Sequence, residues 1–420
     1  MKRLPLFLYS ILLQAASPER DARISAAAAA MKTRLVETRR DFHMHPELSN
    51  REVRTGKIVA ERLRALGFDE VKIGIARHGV VGILKGKLPG PVVAWRSDMD
   101  ALPINETMNI PYKSQNPGAK HACGHDGHMA VALGTAELLS QMRDQIRGTI
   151  KFIFQPAEEG PPAGEEGGAP LMVREGVLED PKVQAIFGLH MSMGGPAGTA
   201  GYTSGASQAS SDTYEILLKG KRSHGANPHE GIDAIAMAAQ CYQGLQLIKS
   251  RRIDAQQPMV LTIGKMVGGD RHNVLAQEVR MEGTLRTFSE KTREEVRTMM
   301  KQTLANCSAM LGGTYELKFV GPGNPPVYNE PALVAKTVPS LERILGKSKV
   351  NAGPPTMVSE DFSYYQLKVP GFFWWLGIAN PERGITGGLH TADMDMDEDA
   401  LVAGVKAATG LLLDYLDQQR

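Results

Sequence analysis

Three apolar segments of this chain each end in side chains that can bind a metal or transfer a proton. They are residues 91–96, followed by Asp98 and Asp100; residues 148–154, followed by Glu158 and Glu159; and residues 185–189, followed by His190. Short apolar runs bounded by Gly and Pro are typical of strands, and open α/β sheets bind ligands at the carboxyl ends of their strands. This pattern predicts an α/β fold with its site at one edge of the sheet.

A stretch of eight residues between the first two segments concentrates metal-binding groups. Residues 121–128 read HACGHDGH and contain three imidazoles, one thiol and one carboxylate. Two glycines let the backbone turn so that neighbouring side chains converge, and helical spacing after Met129 places the stretch in a loop and a first helical turn. The alternative is a polar loop with Asp126 as a helix cap and His128 in solvent. The polar groups at the strand ends favour a metal site.

The paired carboxylates differ in what they suggest. Glu158 and Glu159 follow a buried strand, where packing explains them poorly, so one can bind a cation while the other acts as general base on a water molecule. Asp98 and Asp100 are two residues apart and can diverge, and Asp100 is the better functional candidate. His390, in the motif GLHT, is the last candidate ligand.

Length and charge limit the classes of function. At 420 residues the chain is longer than single cores usually grow, which predicts two domains. The 48 Lys and Arg residues nearly balance the 46 Asp and Glu residues, so no basic surface for nucleic acid is expected. No segment has the length and apolar character of a membrane span. The expected partners are small molecules or a second copy of the chain.

The N-terminus and the cysteines bear on the compartment. Residues 1–17 combine two basic residues, a short apolar run and small residues, which is the layout of a signal peptide and predicts a secreted or periplasmic protein. A cytoplasmic protein with an ordinary N-terminal helix is the alternative. Cys241 and Cys307 lie in apolar helical patterns and are interpreted as small core residues, because the spacing of the three cysteines gives no basis for a disulfide.

Residues 207–322 interrupt the α/β pattern. Their predicted order of elements is β-α-β-β-α-β, the split arrangement of a ferredoxin-like module. We therefore predict a catalytic domain of residues 30–206 and 323–420, with helices on both faces of its sheet, and an inserted lid of residues 207–322. The outer strands of the lid can pair with another copy, which predicts a homodimer. The lid contains three polar candidates for the site, His224, Asn273 and Arg286.

Several motifs occur in a fixed order around this lid: HACGHDGH, FQPAEEG, GLH, SEDF and a C-terminal LH. They resemble the metal-dependent aminoacylase and carboxypeptidase superfamily, and within it the branch of hippurate hydrolases, N-acyl-amino-acid amidohydrolases and plant indole-acetyl-amino-acid hydrolases. The resemblance extends over nearly all of residues 41–416. Ala276 and Ala392 stand where proline is usual in the family, which affects loop rigidity rather than chemistry.

This resemblance implies two divalent metal ions per subunit. The ligands that it implies are Cys123 as a bridge, His125 and His190 on one ion, and Glu159 and His390 on the other. Glu158 would be the general base, and Asp100 would orient His125. A thiolate, imidazoles and one carboxylate suit zinc or manganese, with nickel or cobalt as alternatives, and argue against magnesium and calcium.

The implied reaction is hydrolysis of the amide bond of an N-acyl amino acid. A metal-activated water gives a proton to Glu158, its oxygen attacks the carbonyl, and Glu158 returns the proton to the leaving amine. The resemblance further implies that His224 stabilises the oxyanion, from the partner subunit in a dimer. Asn273 and Arg286 are candidates to hold the substrate carboxylate. The structural alternative for His224 is a solvated loop histidine. For Asn273 and Arg286 the alternative is an ordinary salt bridge on a strand.

Three other hypotheses stay open at this point. The same site suits the hydrolysis of peptides by a dipeptidase or carboxypeptidase. Cys123 as a nucleophile would make a cysteine hydrolase, but this leaves the glutamates and the other histidines unexplained. A metal-stabilised protein that only binds acylated amino acids has no use for a second glutamate beside the metal.

Overall fold

The computed structural model describes residues 18–419. The predicted signal peptide, residues 1–17, lies outside the described residues. The helices are α1 (Pro18–Ala30), α2 (Lys32–Met44), α3 (Val53–Ala65), α4 (His125–Ser140), α5 (Gly168–Arg174), α6 (Ala234–Arg252), α7 (Glu290–Met310), α8 (Pro331–Leu345), α9 (Ser363–Gln366) and α10 (Asp399–Asp417). The strands are β1 (Glu70–Ile75), β2 (Gly79–Lys85), β3 (Leu88–Asp98), β4 (Arg147–Gln155), β5 (Ala185–Pro196), β6 (Ala200–Tyr202), β7 (Gly205–Gln208), β8 (Ser211–Lys219), β9 (Met259–Gly268), β10 (Glu278–Thr287), β11 (Thr314–Asn324), β12 (Val327–Asn329), β13 (Val350–Ala352) and β14 (Gly371–Ala379).

The larger sheet has eight strands in the order β1-β2-β4-β3-β5-β14-β6-β13. Its centre is parallel, since β3 pairs in parallel with β4 and β5, and β5 in parallel with β14. Trp95 of β3 lies opposite Phe152 of β4 and Phe187 of β5, and all three rings are buried. Strands that are covered on both faces read as continuous apolar runs, which is why these segments were recognisable in the sequence.

Helices cover both faces of this sheet. Alternate residues of β4 show this, because Ile150, Phe152 and Phe154 enter the core beneath α2, α4 and α10, whereas Ile153 enters a smaller core beneath α5 and α9. The predicted α/β fold class is confirmed. The described part of the chain contains no helix with the length and apolar character of a membrane span.

The lid forms a separate four-stranded antiparallel sheet in the order β11-β8-β10-β9. Helices α6 and α7 pack on this sheet. Buried apolar side chains of the helices and the strands, all within residues 214–304, form the core of the lid. Each helix begins at a side-chain cap, Asp233 for α6 and Ser289 for α7. The predicted β-α-β-β-α-β order is present, and β9 and β11 are the edges of this sheet.

Cys241 is buried in the core of the lid and Cys307 packs against that core, as interpreted from the sequence, but the two residues are also bonded to each other. They form a disulfide between α6 and α7, across 66 residues of sequence and with their Cα atoms 5.4 Å apart. Both residues are on the helix faces that pack together, and this proximity depends on tertiary structure that cysteine spacing does not reveal.

Two boundaries near the start of the catalytic domain are set locally. Helices α1 and α2 are separated at Met31. Helix α3 begins at Val53, where the Glu47 carboxylate accepts the Arg54 and Thr55 N–H groups. The side chain of Glu47 thus satisfies free N–H groups at the start of α3.

Candidate metal centre and active site

The carboxyl ends of β3, β4 and β5 meet at the start of α4. Gly124 precedes this helix with a φ of 89°, in the left-handed region, and an added Cβ would lie 3.0 Å from the Met191 side chain. Glycine is therefore required by both conformation and space. The turn places Cys123 and His125 next to His190 of β5.

Two residues of the site that are not glycine also have positive φ. Ala157 has a φ of 54° and His390 a φ of 63°. Such conformations cost about 1–3 kcal/mol each and persist where the surrounding structure enforces them. The His390 N–H donates to the Ala122 carbonyl at 2.7 Å, which ties this loop to the HACGHDGH stretch.

The predicted ligands form two groups that share Cys123. Within each group the candidate ligand atoms lie within 4.8 Å of one another; the groups are Cys123, His125 and His190, and Cys123, Glu159 and His390. The Cys123 Sγ lies 3.5 Å from His190 Nε2 and 3.1 Å from His390 Nε2. Atoms about 2.0–2.3 Å from a common ion lie roughly 3–4 Å apart. The spacing fits two ions that share the sulfur.

The bonding of these side chains agrees with divalent cations. The buried Nε2 of His125 makes no hydrogen bond to a residue that the structure describes, and the buried Oε1 of Glu159 lies 3.2 Å from His390 Nε2 without the orientation of a good hydrogen bond. Unpaired buried polar atoms are costly, and a cation would pair both. Burial, reinforced by Glu159, raises the pKa of the Cys123 thiol well above its usual range. The thiolate therefore needs a positive charge beside it, and the same burial opposes Cys123 as a free nucleophile.

Glu158 lies beside this cluster. Its Oε2 is 3.8 Å from His125 Nε2, and it lines a cavity of about 800 Å³ together with Cys123, Glu159 and His190. Burial, followed by the negative charge of Glu360, raises the pKa of Glu158 well above its usual range. A carboxyl group with a raised pKa can take up and return a proton near neutral pH.

Two buried carboxylates hold the backbone on which Glu158 and Glu159 are mounted. Asp100 accepts the Glu158 N–H and the Glu159 N–H, each at 3.0 Å, while Glu52 accepts the Ala157 N–H at 2.8 Å. The contact predicted between Asp100 and His125 is made mainly by the backbone, since His125 Nδ1 lies 2.8 Å from the Asp100 carbonyl oxygen and 3.4 Å from its carboxylate. The sequence analysis missed Glu52, whose only signal was a carboxylate five residues after HPE.

The remaining polar residues of the HACGHDGH stretch are buried and paired. His128 Nδ1 lies 2.6 Å from Asp98, and its Nε2 accepts the Met191 N–H. Asp126 pairs with the buried Arg39 at 2.7 Å. The alternative of a solvated His128 and a capping Asp126 is therefore wrong, and these residues join α4 to β3, β5 and α2.

A buried arginine that the sequence analysis did not single out lies behind Glu158. Arg96 pairs with Asp98 at 2.6 Å and with Glu360 and Asp361 at 2.9 Å each. Glu360 and Asp361 belong to the SEDF motif, so this arginine connects the motif to the end of β3. A charged residue within an otherwise apolar strand was the signal.

Of the three candidates on the lid, only one lines the metal cavity. Arg286 lines the metal cavity and donates to the Met357 carbonyl at 3.4 Å, and no carboxylate among residues 18–419 lies within salt-bridge distance of it. An ordinary strand salt bridge therefore does not explain Arg286. His224 and Asn273 lie together elsewhere on the lid, where both are exposed and neither lines this cavity.

Comparisons with known proteins agree with this geometry. The family model "Peptidase family M20/M25/M40" matches residues 94–414. An N-acyl-L-amino acid amidohydrolase of Geobacillus stearothermophilus is 44% identical over 69% of this chain and 76% of its own length. Thermostable carboxypeptidase 2 of Saccharolobus solfataricus is 37% identical over 91% of this chain and 95% of its own length. The crystal structure of a dinuclear metal binding peptidase from Bacillus subtilis has a TM-score of 0.79 and 36% identity, and covers 93% of this chain and 100% of that one.

Proposed function

The chain belongs to the peptidase family M20/M25/M40 of metal-dependent amide hydrolases, and we propose that it cleaves the amide bond of N-acyl amino acids. One observation carries this proposal: Glu158 lines the cavity beside two groups of candidate metal ligands that share Cys123, and it belongs to neither of these two groups. The amidohydrolase relative supports acylated amino acids as the substrate class.

The residues of the chain divide the work of hydrolysis. Cys123, His125, His190, Glu159 and His390 would hold two divalent ions, which when bound supply a Lewis acid for the carbonyl and a lowered water pKa. Glu158 accepts the proton of the attacking water and delivers it to the nitrogen of the leaving amine. Asp100 holds the backbone of Glu158 in position for both transfers.

Arg286 provides charge for the other end of the substrate. Its guanidinium lines the same cavity as Glu158, without a competing carboxylate among the described residues, and burial lowers the pKa of Arg286 below its usual value. A guanidinium binds a carboxylate through two parallel hydrogen bonds. We assign the free carboxylate of the amino acid to Arg286.

We further propose a homodimer in which His224 and Asn273 of one subunit complete the site of the other. Both residues are exposed, and neither lines the cavity of its own chain. The exposed edge strand β9 carries Val260, Met266 and Val267 in solvent, which supports an interface along the lid.

The compartment is proposed to be secreted or periplasmic. The disulfide between Cys241 and Cys307 supports export, because such bonds persist in oxidising environments. Thiol quantification on protein taken directly from culture fractions tests this proposal. One free thiol in protein recovered outside the cytoplasm is the expected result, and three free thiols in protein confined to the cytoplasm would contradict it.

The central experiment measures hydrolysis of a panel of N-acyl amino acids and dipeptides, before and after chelation and after zinc or manganese is restored. We expect turnover of acyl amino acids to be lost on chelation and recovered with one of these two metals. The carboxypeptidase relative favours peptides as the second candidate substrate. Cleavage of dipeptides alone would establish that candidate, and turnover that survives complete metal removal would refute both.

A further inference from the structure

The wall of the metal cavity contains a buried amide whose nitrogen has no partner. Gln208, the last residue of β7, lines this cavity, and only 1% of its surface is exposed. Its Nε2 is buried and makes no hydrogen bond to a residue that the structure describes. Buried polar groups are usually paired, and leaving one unpaired is costly. An unpaired amide in the wall of a substrate cavity indicates that its partner arrives with the substrate.

The other uncharged polar side chains in this wall do not have the same deficit. Asn324 Nδ2 donates to Ser359 Oγ at 3.1 Å, so these two residues are already bonded to each other. Ser211, which lies opposite Asn324, is only half-buried, and water can reach its hydroxyl. Among these four described residues, Gln208 is therefore the one whose hydrogen bonding a ligand would complete.

A short loop, residues 356–358, brings Gln208 close to Arg286. Ala209, the residue after Gln208, donates its N–H to the carbonyl oxygens on either side of Met357, at 3.1 and 2.9 Å. Arg286 donates to the carbonyl of Met357 itself, at 3.4 Å. Gln208 and Arg286 thus approach three successive residues of one loop, and both line the cavity. They border the same part of it.

The two side chains are complementary as donors to a carboxylate. A carboxylate has two oxygens with about four lone-pair sites, and a guanidinium fills only two of them through parallel hydrogen bonds. The Gln208 amide has two N–H donors, and rotation about its last torsion is soft, so an N–H can turn toward an oxygen that Arg286 leaves free. Because the amide is neutral, Arg286 alone balances the charge of the carboxylate.

Resting on the proposed function, we infer that Gln208 binds the carboxylate of the substrate together with Arg286 and selects substrates in which this carboxylate is free. The donor that is unpaired in the protein is paired in the complex. Acyl amino acids and the C-terminal residues of peptides carry the group that the two side chains recognise. Amidated amino acids lack it and are poor substrates.

Replacing the amide by a carboxylate tests this role. Gln208→Glu keeps the size of the side chain but exchanges its donors for charged acceptors, which repel a carboxylate. The experiment measures kcat and KM of the metal-loaded enzyme for N-benzoylglycine, or the best substrate of the panel above, and for the same compound with a carboxamide in place of the carboxylate. We expect the KM for the carboxylate to rise by at least about tenfold with little change in kcat. The preference for carboxylate over carboxamide should fall by a similar factor.

Two further variants accompany this measurement. Gln208→Met removes the donors without adding charge, so it should raise the KM for the carboxylate by a smaller factor, and it serves if Gln208→Glu does not fold. Gln184→Glu is the matched control, since Gln184 is exposed and does not line the cavity. It adds the same charge elsewhere in the catalytic domain and should leave both KM values within about twofold of the parent.

The outcomes separate this inference from the proposed function. An unchanged preference in Gln208→Glu and Gln208→Met, with a parent enzyme that cleaves the carboxylate, would overturn the inference and leave the proposed function intact. Equal losses on the carboxylate and the carboxamide would give Gln208 a structural role and would also overturn it. A parent enzyme that cleaves neither acyl amino acids nor dipeptides would refute the proposed function itself.

Discussion

The candidate site has two parts, one on the large sheet and one on the lid, and they differ in whether a single chain brings their residues together. The candidate metal ligands and Glu158 lie at one edge of the eight-stranded sheet, where Cys123 and His190 are only 6% and 7% exposed and the Asp100 carboxylate accepts the N–H groups of Glu158 and Glu159. On the lid, His224 and Asn273 are exposed and do not line the cavity. The proposed function therefore places proton transfer within one subunit and oxyanion stabilisation across two.

The largest expected effect tests the part that the subunit builds alone. Glu158→Gln keeps the size of the side chain and removes its proton acceptor, so kcat should fall by about 10²–10⁴-fold, the usual contribution of general acid-base catalysis. Metal content, measured by elemental analysis, should not change. Glu166→Gln, on an exposed residue of the same loop, is the control and should retain full activity. Loss of metal in Glu158→Gln would instead make Glu158 a ligand.

The next effect tests the proposal that His224 acts in the site of a second subunit. His224→Ala should lower kcat by about 10²–10³-fold, as the loss of an oxyanion donor does. Mixing this variant with Glu158→Gln under conditions of subunit exchange should restore activity, because the subunit with intact Glu158 receives His224 from its partner. Activity that stays at the level of the separate variants after exchange would place His224 in its own site or outside catalysis.

The same division explains which parts of the site could be predicted from the sequence. Cys123, His125, Glu159 and His190 lie close to the end of a strand or the start of α4, so local pattern marked them as candidates. His390 lies in a loop, and the order of the motifs along the chain marked it. The strands of the catalytic sheet were recognisable because burial on both faces gives long apolar runs. A residue whose role depends on its own position at the end of a strand or the start of a helix can therefore be recognised from the local sequence.

Residues that act through distant partners escaped prediction. Glu52 supports a loop 105 positions away, and Cys241 pairs with Cys307 across two helices. Strand β1 is half exposed and short, and α8 contains Pro339, so neither gave a clear periodic signal. These features depend on tertiary contacts that a single sequence does not display.

A smaller effect tests how the loop beneath Glu158 is held. Burial, followed by the charge of Asp100, raises the pKa of Glu52 to about 8, so this carboxyl is largely protonated at neutral pH. Glu52→Gln preserves an oxygen acceptor for the Asn50 and Ala157 N–H groups, and we expect near-normal kcat at pH 7. Glu52→Ala leaves both buried donors unpaired, and kcat should fall about tenfold with little change in KM. Equal kcat in the two variants, measured under saturating substrate, would contradict a positioning role.

The smallest effect concerns the charge pairs that support the HACGHDGH stretch. Glu106 lies 3.1 Å from His43 Nε2 and 3.2 Å from Lys120 Nζ, and it accepts the Ser114 N–H at 2.6 Å. These contacts outweigh the effect of burial and lower the pKa of Glu106 from 4.5 to about 2. Because the folded-state pKa is below the unfolded one, the stabilisation is complete above pH 4.5 and is lost as the pH falls toward 2.

Urea unfolding at a series of pH values measures this contribution. At pH 7, Glu106→Gln should unfold at lower urea than the parent, and the difference should shrink steadily between pH 4.5 and pH 2. Glu61→Gln, on an exposed side chain of α3, should match the parent throughout. A difference that is constant with pH would mean that Glu106 contributes through packing and hydrogen bonding rather than charge.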